Sequence, residues 1–556
     1  MSSFRTILQL SFFALSLAQF PGISKLQWSP CNETEVPSEV PMECSTLLVP
    51  LDYTEPNSNQ TLLLDLVKVS ALTKPSKGSI LFNFGGPGEG GRASLGIKTL
   101  SEELLALTGR QYDLITFDPR GTSGSKIPMQ CFETEFDAWS YLFSQGPSNQ
   151  SDVELARNWA HANTMASTCL KTQNQTGSLL SSAFVARDMM QVVDALGEDG
   201  LLRYWGFSYG STLGATTAAM FPDKVERMIL DGVQNPHEYY HSQIVLEQWT
   251  DSDKAFSAIF TGCVANRENC ALGKGNNKTA AELEQAVWNM LDTVKYHPIP
   301  LGSFIVDYSA LKTLIVNAIY SSALWPGLAT MLNDLLTGNL NELAQLIEAI
   351  SPSTTPTVFE QLATQQALLG IQCGDNMVRT DTFADFVPYT ERLAETSRLL
   401  GDVPTYIYSA CAQWKIEPKE RYTGDFNVKT KNPVLFIGNI FDGLTPLVSA
   451  KNVSSTFEDS VVLTVNGWGH SSLAAPSACT IRTTSAYWAD GTLPPEGKIC
   501  ESDAPLYSAI TWADVIAQVY GNSTTSAKRH AAVLSNSTDV LAPFLGLRGV
   551  STLHGL

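Results

Sequence analysis

"RYWGFSYGSTLG" (203–214) sets Ser208 between two glycines, each two places away. The pattern G-x-S-x-G is weak alone, since 39 glycines in 556 residues make about 0.2 chance matches in a chain of this length. Its surroundings carry the reading. An apolar run, "LLRYWGF" (201–207), leads into the serine, a run of small residues, "TLGATTAAM" (212–220), follows it, and "VERMILDGV" (225–233) resumes as a strand. A strand that turns sharply into a helix pushes the side chain at the turn out at the sheet edge. It needs residues without Cβ where the backbones crowd, here Gly206 and Gly210. The N-terminus of the following helix also favours negative charge developing at the serine.

The strand-then-glycine-loop shape recurs in "GSILFNFGGPGEGG" (78–91), "YDLITFDPRGTSGS" (112–125), "NPVLFIGNIFDGLTP" (432–446) and "SVVLTVNGWGHSS" (460–472). Strands alternating with helices predict a mostly parallel sheet covered on both faces. From 236 to 430 the pattern changes to apolar residues at helical spacing, as in "AAELEQAVWNMLDTV" and "LATMLNDLLTGNLNELAQLIEAI". This predicts a mainly helical cap at 236–430, inserted between core segments 19–235 and 431–556, because the C-terminal piece alone has too few strong strands to build a core.

Composition narrows the function. Hydrophobic residues at 44% allow a large core, while charged residues at 16% and a net charge of −19 exclude polyanion binding, nucleic acid included, which needs clustered Lys and Arg. The start, "MSSFRTILQLSFFALSLAQF", has an early cation, an apolar stretch and a small-residue exit, and reads as a signal peptide over 1–18. Its apolar part falls short of the ~20 residues that span a bilayer. Ten cysteines with no C-x-x-C suit a secreted, disulfide-bonded protein. Pairing neighbours closes short loops and gives Cys31–Cys44, Cys131–Cys169, Cys263–Cys270, Cys373–Cys411 and Cys479–Cys500. N-glycosylation acceptors stand at Asn32, Asn59, Asn149, Asn174, Asn277, Asn452, Asn522 and Asn536. A glycosylated, secreted eukaryotic protein is the simplest account.

A serine nucleophile needs an imidazole base and a carboxylate that fixes the base's tautomer. His470, in "VNGWGHSS", and Asp442, in "GNIFDGLTP", each occupy a strand-exit loop, and the order Ser208, Asp442, His470 is that of the α/β-hydrolase fold. Asp231, in "MILDGV", is the rival acid. The tetrahedral oxyanion needs two backbone N–H donors, for which Tyr209, after the nucleophile, and Gly86, in the glycine-rich "NFGGPGEGG", are placed. A competing signal is "HEYYH" (237–241), which matches the zinc motif H-E-x-x-H through His237, Glu238 and His241. The downstream sequence offers no convincing third ligand, so no metal or other cofactor is expected. The bland reading is two surface histidines at the start of the cap.

These features resemble the tripeptidyl aminopeptidase-like branch of the α/β-hydrolases, kin to the proline iminopeptidases. The likeness runs from roughly 45 to 500 and rests on Asn83, Gly85-Gly86-Pro87-Gly88, "DPRGTSGS", "GFSYGSTLG", "IQCGD" (371–375), "CAQW" (411–414), "FDGLTP" and "GWGH". It implies removal of single residues or short peptides from a free N-terminus, with cap carboxylates holding the substrate's ammonium. Asp375 matches the "IQCGD" motif and is the amine anchor the resemblance implies, with helix capping or bracing of the Cys373–Cys411 bridge as the alternative. Three positions depart from the branch: Phe84 stands for a proline, Glu89 for a glycine, and Ser123 interrupts "R-G-x-G". Glu89, beside the oxyanion loop, is a second amine-binding candidate. Because one triad serves any acyl group, an esterase or amidase acting on a small molecule is the alternative function, and a non-catalytic binding protein on the same scaffold a third.

Overall fold

A computed structural model describes residues 25–521 apart from 33–35, 303, 342–343 and 345–356. The leader read at 1–18 and the acceptors Asn522 and Asn536 lie outside the described residues. A ten-stranded sheet organises the chain. Its strands are β1 (Ser29–Pro30), β2 (Glu43–Pro50), β3 (Thr61–Val69), β4 (Ser79–Asn83), β5 (Asp113–Phe117), β6 (Leu202–Phe207) and β7 (Val225–Asp231). After a small separate hairpin, β8 (Ile299–Leu301) and β9 (Phe304–Val306), the sheet continues with β10 (Leu435–Phe441), β11 (Val461–Trp468) and β12 (Ile499–Glu501). In space the order is β1-β2-β3-β5-β4-β6-β7-β10-β11-β12. The first three strands run antiparallel, and every pair from β5 onward is parallel.

The sequence shows why. β4, "SILFN", is buried throughout, as a parallel strand covered on both faces must be, whereas β3, "TLLLDLVKV", near the sheet edge, alternates more. Leu81 and Tyr204 face one layer with the helices Ser182–Leu196 and Tyr209–Met220. Phe82 and Trp205 face the other, with Lys98–Leu107, Ala478–Asp490 and Trp512–Tyr520.

Between β7 and β10 the chain is mainly helical, including Ser252–Ala265, Ala280–Tyr296, Tyr308–Ile319, Trp325–Thr337, Val358–Asp375, Phe383–Thr396 and Thr405–Ala412. Two helices from earlier in the chain, Glu135–Leu142 and Glu154–Thr172, pack with Val358–Asp375 and Thr405–Ala412 around Met165, Leu362, Leu369 and Tyr406. The helical layer is thus built from two separated stretches. Disulfides join Cys31 to Cys44, Cys131 to Cys169, Cys263 to Cys270, Cys373 to Cys411 and Cys479 to Cys500, the neighbour pairs of the sequence reading. The described acceptors Asn32, Asn59, Asn149, Asn174, Asn277 and Asn452 are all exposed. Among the described residues no helix is long and apolar enough to cross a membrane.

Candidate active site

Ser208 stands between β6 and the helix Tyr209–Met220, whose N-cap it is, at φ 57° and ψ −127°, a left-handed backbone that a serine adopts only when its surroundings hold it there. Those surroundings are tight. A Cβ on Gly206 would stand 2.1 Å from the Gly210 carbonyl oxygen, and one on Gly210 would stand 2.5 Å from that of Asn83. Both glycines of the motif are therefore required by close approach. The Ser208 N–H donates to the Asp231 carbonyl at 3.0 Å, which ties the turn to the end of β7.

His470 lies just past β11, with its side chain 12% exposed. Its Nδ1 is 3.1 Å from Asp442 Oδ2 and 3.2 Å from Oδ1, and 3.0 Å from Thr445 Oγ1. Asp442 is fully buried past the end of β10, and accepts from the N–H groups of Leu444, Thr445 and Ser471 and from the Thr445 hydroxyl. Burial pushes its carboxyl up, but the His470 imidazole and these hydrogen bonds outweigh burial and hold it below the usual carboxylate range. An ionised carboxylate at Nδ1 fixes the tautomer that leaves Nε2 free to accept a proton.

Asp231, the rival acid, does different work. It is fully buried and accepts from Ser472 N–H at 2.8 Å and Ser472 Oγ at 2.5 Å, while its own backbone carbonyl holds Ser208 N–H. It thus clamps the histidine loop to the Ser208 turn. Burial pushes its carboxyl up to about 6. The helical layer holds the same loop from above, through a His470 N–H bond to the Tyr320 carbonyl at 2.8 Å and the Tyr320 ring edge-on to His470 at 5.5 Å.

The loop after β4 closes over the serine. A Cβ on Gly85 would lie 2.8 Å from Ser208 Cβ and 3.3 Å from Tyr209 N, so Gly85 at φ 98° rests directly on the turn. A Cβ on Gly88 would meet the Thr364 carbonyl oxygen at 2.7 Å and Ala367 Cβ at 3.0 Å, so the helix Val358–Asp375 is seated on the loop. Phe84, one of the three departures, stacks between Phe82 and Phe207. Glu89 follows the loop, half-buried, and makes no hydrogen bond or ion pair among the described residues. Burial pushes its carboxyl up to about 7, and Tyr320 lies close enough to feel its charge.

Asp375 sits elsewhere. It is 0% exposed at the end of its helix and accepts from Ser182 N–H at 3.0 Å, Ser182 Oγ at 2.6 Å and Tyr239 Oη at 3.1 Å, and the Ser182 hydroxyl in turn bonds Tyr209 Oη at 2.6 Å. Its carboxylate is engaged beneath Tyr209 and braces the residue after Ser208, an arrangement that favours the capping and bracing alternative over an amine anchor. The zinc motif also resolves into structure. His237 packs edge-on against Phe426, Glu238 accepts from Glu247 N–H at 2.9 Å, and His241 is exposed. Among the described residues no third His, Cys, Asp or Glu completes a ligand set with them.

Sequence reasoning missed Thr445, Tyr320, Ser472 and Ser182. Thr445 had a signal in "FDGLTP", since an aspartate commonly accepts from backbone N–H two or three residues on and so draws the third side chain to its carboxylate. The other three come together only through tertiary packing.

The chain is similar to known proteins along most of its length. Residues 78–279 match a family described as alpha/beta hydrolase fold, and residues 397–500 match one described as TAP-like protein. Serine protease Hip1 of Mycobacterium tuberculosis is 26% identical over 494 residues, 85% of this chain and 91% of that protein. Tripeptidyl aminopeptidase of Streptomyces coelicolor is 26% identical over 450 residues, 79% of each chain. Carboxylesterase B of M. tuberculosis is 26% identical over 488 residues, 85% of this chain and 89% of that one. The strained serine turn, the buried carboxylate on a histidine and these matches together make the chain a serine hydrolase of the α/β-hydrolase fold with a TAP-like domain.

Proposed function

We propose that this protein is a secreted, exo-acting aminopeptidase that works through an acyl-enzyme on Ser208. His470 Nε2 takes the Ser208 proton as Oγ attacks the scissile carbonyl carbon, and returns it to the leaving amine. Water, deprotonated by the same imidazole, then releases the acyl group. Asp442 and Thr445 orient the imidazole through Nδ1, and Asp442 stabilises the imidazolium. The N–H groups of Gly86 and Tyr209 hold the oxyanion, a reading supported by the contact of the glycine loop with the Ser208 turn.

The observation that carries the peptidase reading is Glu89, a half-buried carboxylate without a hydrogen-bond or ion-pair partner among the described residues, next to the oxyanion loop and close to Tyr320. An ammonium group is the ligand such a carboxylate lacks. With Asp375 engaged in bracing, Glu89 is the amine anchor. Secretion is supported by the leader-like start, the five disulfides and the exposed acceptor asparagines.

The test is a matched set of substrates: a peptide amide with a free N-terminus, its N-acetylated twin, and a simple ester. The expected result is strong preference for the free amine, abolished in Ser208→Ala. Turnover of the ester alone would defeat the peptidase reading and leave a small-molecule esterase.

A further inference from the structure

The loop that carries His470 is held by other parts of the chain rather than by itself. Gly469 at φ 110° and Ser471 at φ 61° take backbone outside the usual regions, and successive N–H groups of the loop find their partners beyond it. Gly469 donates to the Phe441 carbonyl at 3.1 Å. Ser471 donates to the Asp442 carboxylate and Ser472 to that of Asp231, each at 2.8 Å. These three partners stand at strand ends of the sheet. The partner of the His470 N–H, the Tyr320 carbonyl at 2.8 Å, belongs to the helical layer.

Tyr320 is suited to that task by its place. It caps the C-terminus of the helix Tyr308–Ile319, where backbone carbonyls run out of partners within the helix, and its carbonyl is turned to His470 instead. Its neighbour Ser321 bridges to Gly469 in antiparallel register. Gly469 admits this approach by lacking a side chain, since a Cβ there would lie 2.7 Å from the Tyr320 carbonyl oxygen and 3.1 Å from Ser321 Cα. The loop that carries Asp442 makes the same accommodation. A Cβ on Gly443 would lie 2.7 Å from Ile319 Cγ2, and the buried Ser252 of the helix Ser252–Ala265 donates its hydroxyl to the Gly443 carbonyl at 2.6 Å. The consecutive residues Ile319, Tyr320 and Ser321 therefore abut both loops, and the Tyr320 ring stands edge-on to the imidazole at 5.5 Å.

We infer that Tyr320 is a positioning residue for His470, and that the helical layer is through it a working part of the reaction machinery and not only a cover; this rests on His470 acting as the base, as proposed above. The carbonyl fixes the main chain of His470. The ring limits the swing of an imidazole that Asp442 and Thr445 hold at Nδ1 alone, and so keeps Nε2 in place for the Ser208 proton. Misplacing a base by a fraction of an ångström costs rate and not substrate binding.

The experiment follows fluorophosphonate labelling of Ser208 over time, and turnover of the ester, the acetylated peptide and the free-amine peptide, in wild type, Tyr320→Leu, Tyr320→Phe and His470→Ala. In Tyr320→Leu every molecule is expected to be labelled in the end, with the labelling rate and kcat on all substrates that wild type turns over lowered by about 10- to 100-fold and KM little changed. Tyr320→Phe, which keeps the ring, should stay within about threefold of wild type. Tyr320→Met removes the ring in a second way and takes the place of the leucine variant if that one does not fold. Labelling of fewer molecules at the wild-type rate would make Tyr320 merely structural, a rise confined to KM would make it a substrate contact, and an equal loss in Tyr320→Phe would move the role to the hydroxyl; each of these, like an unchanged rate, would overturn the inference. Wild-type labelling in a folded His470→Ala variant would instead defeat the base assignment on which it rests.

Discussion

Three carboxylates near Ser208 have different tasks, and their surroundings separate them. Asp442 meets Nδ1 of His470, Asp231 clamps the loop that carries that histidine, and Asp375 braces Tyr209 through Ser182. Asp442→Asn removes the charge that sets the imidazole tautomer and is expected to lower kcat by about 10⁴-fold. Asp231→Asn should cost far less, and assay of the two variants side by side checks the assignment; the reverse order would make Asp231 the acid. Glu89 adds a pH signature. Its carboxyl, pushed up to about 7 by burial, is neutral at lower pH, so KM for a free-amine peptide should rise as pH falls through 7. The N-acetylated twin should show no such rise, and neither should Glu89→Gln with the free-amine peptide. At this scale the sequence was legible for Ser208 and His470, where a motif and a scarce residue type point to chemistry. It left Asp442 and Asp231 as rivals, because both follow strands and only side-chain contact separates them.

Elements supply the rigidity on which those contacts depend. The segment "DPRGTSGS" follows β5, yet Arg120 turns away from the chemistry. It is fully buried, pairs with Asp188 at 2.6 Å and 2.9 Å, and donates to the carbonyls of Pro50 and Leu51, so that β2, β5 and the helix Ser182–Leu196 meet on one guanidinium. Arg120→Ala would leave the buried Asp188 without its cation, with the Tyr53 hydroxyl at 2.7 Å still donating to it. It is expected to destabilise the fold by about 3–5 kcal/mol, read by denaturant unfolding, with turnover per folded molecule little changed. A loss of turnover without loss of stability would give the segment a catalytic task. Strand and helix types were largely readable, since buried parallel strands are continuous apolar runs and the helical layer repeats at helical spacing. What could not be read was that Glu135–Leu142 and Glu154–Thr172 join that layer, because their partners lie some two hundred residues later in sequence.

For the whole molecule, charge and burial act in the same direction. Asp231 and Asp375 are pushed up by burial to about 6 and Glu89 to about 7, so the folded state binds protons at a pH where the unfolded chain has released them. Their contribution to stability is full below about pH 4 and is lost as pH rises through 6 to 7. His161 and His241, whose charging burial opposes, work weakly the other way, whereas relief of the net charge of −19 on acidification adds to the carboxylate effect. Melting temperature should therefore be higher at pH 5.5 than at pH 8; a fall over that interval would contradict this account of the buried carboxylates.

The claim on which the rest depends is that Ser208 is the nucleophile. The most direct measurement is peptide mapping of the native protein after reaction with a fluorophosphonate. The account predicts one adduct, on Ser208, absent in Ser208→Ala and slowed in Asp442→Asn. A folded, unlabelled protein, or an adduct on any other residue, would contradict it.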